Sequence, residues 1–130
     1  MRKKPIVNKK RPVNLDLTSM KFPPMAIASI LHRISGIVLF LFLPFILCLF
    51  AKSLHSTEGF AQMQLMLTQP LYKLILWGFS VAMIYHVIAG FRHIVMDVGI
   101  GDHLSAGRHS AIAVIALALI SAIFLGIWIW

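Results

Sequence analysis

The sequence predicts an all-α membrane protein with three transmembrane helices, and three observations carry that prediction. Apolar residues make up 59% of the 130 positions and the mean hydropathy is +0.87, more apolar surface than so short a soluble domain could bury. Three separate stretches reach the about 20 apolar residues that a bilayer core asks of a helix. The charge is lopsided as well, with 12 Lys+Arg against 4 Asp+Glu.

Residues 1–24 form a basic segment. Arg2, Lys3, Lys4, Lys9, Lys10, Arg11 and Lys21 face only Asp16. Such a tail can bind nucleic acid, but beside an apolar span it more simply marks the cytoplasmic side, and no nucleic-acid partner is expected. A cleavable signal is not expected, because the apolar segment starts late, runs long and lacks a small-residue cleavage site.

The first span is 25–50, opened by Pro23-Pro24, since proline is tolerated in a first helical turn; Pro44 lies inside it and is expected to kink it. Residues 51–70 read as an outer loop in which Phe60, Met63 and Leu67 hint at a short interfacial helix. The second span, 71–96, follows Pro70. Residues 97–110 carry Gly99, Gly101 and Gly107 and read as a cytoplasmic loop, and the third span is 111–130. Basic residues around the tail and the second loop put the N-terminus inside and the C-terminus outside, with Trp128 and Trp130 at the outer interface.

Two spans contain groups that lipid cannot satisfy. Ser29, His32, Arg33 and Gly36 stand at i, i+3, i+4 and i+7 and share a helix face. Counted from Pro24 at 1.5 Å per residue, Arg33 lies about 13 Å along the helix, deep for a guanidinium even with snorkelling. Ionisable groups at such depth face protein, a cavity or a ligand. In the second span His86, Gly90, His93 and Asp97 form a polar stripe, while Gly78, Ala82, His86 and Gly90 repeat every four residues.

Small residues around His86 (Ala82, Ala89, Gly90) would clear space for a planar macrocycle. A neutral imidazole is an axial ligand for haem iron, and Arg33 could pair with haem propionates. Plainer readings of the same residues stand beside this one. An intramembrane histidine often bonds a neighbouring helix, and a Gly/Ala track often serves only helix packing. Arg33 could cap backbone carbonyls or reach a lipid phosphate, and His32, flanked by Ala28, Ser29, Ser35 and Gly36, is a rival ligand. Cys48 is the single cysteine, so neither a disulfide nor a cysteine-held iron–sulfur cluster is available within the chain.

These residues carry a family resemblance. Arg11-Pro12 with Ser29-Ile30-Leu31-His32-Arg33-Ile34-Ser35, and then His86-Val87-Ile88-Ala89-Gly90-Phe91-Arg92-His93-Ile94-Val95-Met96-Asp97-Val98-Gly99, resemble the two signatures of the b-type cytochrome membrane-anchor subunit of succinate dehydrogenase, respiratory complex II. Phe91 stands where an aliphatic residue is more usual.

The resemblance implies haem b with His86 as axial ligand, His32 and Arg33 near the haem propionates, and Ser29 and Arg33 lining a ubiquinone site. It implies a helical bundle shared with a second small membrane subunit that supplies the other haem ligand. A flavoprotein and an iron–sulfur subunit complete the complex and pass on electrons from succinate. The chain has no Gly-rich dinucleotide fingerprint and is not expected to oxidise succinate alone. Residues 1–24 lack a transit-peptide pattern, so a bacterial inner membrane is expected. The anchor of a fumarate reductase, working in the opposite direction, and a non-enzymatic membrane scaffold or channel are the alternatives.

Overall fold

The computed structural model describes residues 20–130. The basic residues before Lys21 and the Arg11-Pro12 part of the first signature lie outside the described residues, and with them most of the charge on which the expected orientation rests.

Among the described residues four helices follow in order: α1 Pro24–His55, α2 Thr57–Thr68, α3 Pro70–Asp97 and α4 Leu104–Ile129. Prolines stand at the starts of α1 and α3, where a missing N–H costs nothing. Helices α1, α3 and α4 are each long and apolar enough to cross a membrane. The up-down-up path brings the first turns of α1 and α4 beside the last turns of α3, and all three helices pack on one another.

Small side chains make the packing close. Ala28, Ala89 and Ala111 are 1%, 1% and 0% exposed, and Tyr85, Val114 and Ala118 join them in the core. Large apolar side chains point the other way; Phe40 and Trp128 are 76% and 84% exposed. That inversion suits a solvent as apolar as the side chains themselves, where close backbone approach rather than hydrophobic burial holds helices together. Polar bonds staple the bundle: Trp77 Nε1 donates to the Ala122 carbonyl at 2.9 Å, and the Tyr85 hydroxyl donates to the Ala28 carbonyl at 2.8 Å.

The segment between the first two long helices is itself helical. Ser56 caps α2, its hydroxyl accepting from Gly59 N at 2.9 Å. Phe60 is exposed while Met63 and Leu67 are half-buried.

The second connection is shorter than 97–110. It turns on Gly99 and Gly101, whose φ angles are +83° and +71°, and α4 begins at Leu104. Gly107 is therefore a helical residue. A Cβ there would lie 2.7 Å from Met25 Sδ, so that side-chain end would have to shift, and the Gly107 carbonyl accepts from Arg92 Nη2 at 3.0 Å. A glycine that makes room for a neighbouring helix looks, in sequence, the same as one that makes a turn.

Candidate functional site: a histidine cluster between α1 and α3

The polar residues of the two spans meet where α1 crosses α3. The imidazoles of His32 and His86 stack with centroids 4.2 Å apart and planes 19° from parallel. His93, one turn below Gly90, tilts against His32 at 5.2 Å. Glycines on the opposing helices make this approach possible. A Cβ on Gly36 would lie 3.2 Å from His86 Cε1, and one on Gly90 would lie 3.3 Å from His32 Nε2.

Hydrogen bonds determine which nitrogen of His86 carries the proton. Its Nδ1 lies 3.0 Å from Ser35 Oγ and 3.2 Å from the His32 carbonyl oxygen. The Ser35 hydroxyl donates to that same carbonyl at 2.7 Å, which turns its lone pairs toward the ring. Nδ1 thus faces two acceptors, and only an N–H is favourable there. Of the two neutral tautomers, the one that fits both contacts carries its proton on Nδ1 and leaves the Nε2 lone pair outside them. Nε2 takes part in none of these bonds. It is not sealed in either, because among the described residues the one buried side-chain polar atom without a partner is His32 Nε2.

This is the donor arrangement that an iron porphyrin asks of a protein: a neutral imidazole, its distal nitrogen available, its proximal N–H held by a carbonyl and a hydroxyl. Among the described residues no three His, Cys, Asp or Glu side chains converge on a point that could hold a bare ion. The stacked rings of His32 and His86 are parallel neighbours, not convergent ligands.

The face predicted for α1 divides in two. His32 and Gly36 turn into the α3 interface, Ser29 is half-buried, and Arg33 is exposed. Among the described residues the acid–imidazole contact lies elsewhere, between His103 and Asp102 at 3.6 Å. On α3, His86, Gly90 and His93 keep to the α1 side, whereas Asp97 is exposed. The four-residue track does not act as one surface: Gly90 faces His32, whereas a Cβ on Gly78 would meet nothing within 4 Å. Gly78 and Ala82 instead line an apolar groove of about 320 Å³ among α1, α3 and α4, shared with Ser35 and Tyr85.

Three structural residues escaped the sequence reading. Ser35 is 6% exposed, Tyr85 8% and Arg92 8%. Arg92, which looked like a charge flanking a loop, donates from Nε to Ser110 Oγ at 2.9 Å and from Nη2 to the Gly107 carbonyl. Its guanidinium ties the end of α3 to the start of α4.

Comparison with known proteins places the chain. Residues 7–125 match the family described as succinate dehydrogenase/fumarate reductase transmembrane subunit. A succinate dehydrogenase cytochrome b556 subunit of Coxiella burnetii (strain RSA 493 / Nine Mile phase I) is 46% identical over 125 residues, covering 95% of this chain and 100% of that protein. Another cytochrome b556 subunit, from Paracoccus denitrificans, is 31% identical over 113 residues and 87% of each chain. With its three long apolar helices, this all-α membrane protein belongs to the family of succinate dehydrogenase/fumarate reductase transmembrane subunits.

Proposed function

We propose that the chain is the cytochrome b anchor of a succinate:ubiquinone oxidoreductase, holding haem b through His86 and lining part of the ubiquinone site. The observation that carries this reading is the locked His86 imidazole, with Nδ1–H bound inside the chain and Nε2 free to ligate. Haem iron, when bound, supplies a one-electron redox centre within the membrane.

The chain's own residues have distinct tasks. His86 donates from Nε2, and Gly36 leaves room for its ring. The Nε2 of His32 is enclosed by the α1–α3 interface, so its Nδ1 is the nitrogen that reaches a propionate. Arg33, turned outward on α1, offers a fixed cation to a propionate or to negative charge developing on a quinone oxygen; in a water-poor site such a preorganised charge contributes several kcal/mol. Ser29, one turn away, offers a hydroxyl to the quinone. A guanidinium left against lipid costs about 2.5–3.5 kcal/mol or more, which supports a second membrane subunit against this face. That subunit would supply the second haem ligand, with iron–sulfur and flavoprotein subunits bound at the cytoplasmic side of a bacterial inner membrane. The family description spans fumarate reductases too, and reaction direction is the property that separates that reading from this one.

The test is made on the assembled complex. Replacing His86 by phenylalanine is expected to abolish or shift the reduced-minus-oxidised haem spectrum, and an unchanged spectrum refutes the ligand. Ser29→Ala and Arg33→Leu are expected to depress quinone reduction while succinate oxidation by an artificial dye continues. Equal loss in both assays refutes the quinone assignment.

A further inference from the structure

The hydroxyl of Ser35 belongs to α1, yet its acceptor face is turned to a ring on α3, 51 residues away in sequence. We infer that Ser35 is a positioning residue for the iron-binding imidazole: it holds the His86 Nδ1 proton in place, and so sets how strongly Nε2 donates to haem iron and at what potential the haem works. The inference rests on His86 being the haem ligand.

Two acceptors surround the His86 Nδ1–H, and they are not equivalent. The His32 carbonyl, at 3.2 Å, already receives the Ser35 hydroxyl at 2.7 Å and lies within α1, where it is also the acceptor for the helical N–H four residues on. The Ser35 oxygen is nearer, at 3.0 Å, and its own proton is committed to the carbonyl, which makes the oxygen a better acceptor. Ser35 is 6% exposed, so water does not compete for this bond.

A hydrogen bond to the outer N–H of a ligating histidine fixes the ring and raises its basicity. A more basic imidazole favours ferric over ferrous iron and holds the potential down. Removing the hydroxyl leaves the longer carbonyl bond alone, so the potential should rise and the haem should be retained less firmly.

The bland role for Ser35 is helix packing, with a back-bond to the preceding turn. That role predicts a change in stability without a change in the haem. The experiment therefore titrates the haem potentiometrically in membranes carrying the whole complex, for Ser35→Ala, Ser35→Thr, Ser35→Cys and His86→Phe. Ser35→Ala is expected to raise the midpoint potential and weaken haem retention by about 10–100-fold, the usual effect of losing such a partner. Ser35→Thr keeps the hydroxyl, has the neighbouring apolar groove for its methyl, and is expected to behave as the parent. Ser35→Cys offers a weak acceptor of similar size and is expected to fall between them, which keeps the inference testable if the alanine variant fails to assemble. Potentials of Ser35→Ala or Ser35→Cys equal to the parent's overturn the inference, while the ligand reading survives if His86→Phe loses the haem. An unaltered haem in His86→Phe overturns the ligand reading itself.

Discussion

Gly36 offers the sharpest test of the packing around His86, because an added methyl would enter the site from the helix opposite. A Cβ at Gly36 would lie 3.2 Å from His86 Cε1 and 3.6 Å from Nδ1. Carbon atoms rest at about 3.5–4.0 Å, so the ring would have to give by a few tenths of an ångström. It is held on that side by bonds of 3.0 and 3.2 Å, and a retreat of this size lengthens and weakens them.

Overpacking of this kind costs about 1–3 kcal/mol, and alanine regains about 1 kcal/mol of intrinsic helix preference. The net destabilisation of Gly36→Ala is therefore small, from near zero to about 2 kcal/mol. The displacement falls on the His86 ring itself. Gly78→Ala is the matched control, since its Cβ would meet nothing within 4 Å. Both variants are expected to assemble with the partner subunits and melt within a few degrees of the parent complex. Only Gly36→Ala should shift the haem spectrum and potential. If the two variants have the same haem properties, the His86 ring is not seated against Gly36 and the reasoning fails.

Two further substitutions probe parts of the fold away from His86. Arg92→Ala removes two charge-assisted bonds between α3 and α4, one buried and one part-buried, each contributing about 1.5–3 kcal/mol; the solubilised complex should melt several degrees lower, and an unchanged melting curve refutes the stapling role. Gly59→Ala would place a Cβ 2.5 Å from the Lys52 carbonyl oxygen, a backbone atom that cannot swing aside. The α1–α2 corner should open and become sensitive to protease in membranes while the haem spectrum stays as it was, and a protease pattern like the parent's would show that the corner is not close-packed.

What the sequence disclosed follows from the range of the forces concerned. Span existence is a local property: a run of apolar residues long enough for a bilayer is visible without knowing any contact, and α1, α3 and α4 lie where the three runs lie. Their ends are less visible. Residues 104–110 look like a loop because Gly107 looks like a breaker, whereas its smallness serves Met25 and its carbonyl serves Arg92. The same limit hid the meaning of Arg92, which needed Ser110 from beyond the turn. The periodicity that grouped Ser29, His32, Arg33 and Gly36 spans a wide arc of helix, and only contact with α3 divides it into an inward pair and an outward cation. Ser35 lay just off that stripe. The visible signal for it was Ala28, Ser35 and Gly36 gathered as small residues round His32, a pattern that specifies close approach without specifying to what.

The tautomer of His86 also weighs between the two meanings that a histidine in a span can have. A histidine that only joins helices gains most by satisfying both nitrogens on the neighbouring helix, and such a bond contributes about 0.6–2 kcal/mol. His86 instead places one nitrogen against two acceptors of α1 and keeps the other outside that network. His32 shows the contrast, with Nε2 enclosed between the helices and its ring serving as the flat wall on which His86 stacks. One imidazole braces and the other is braced with a lone pair to spare. That division of roles is costly if helix pairing is the whole purpose, and it is what a metal-ligating imidazole requires.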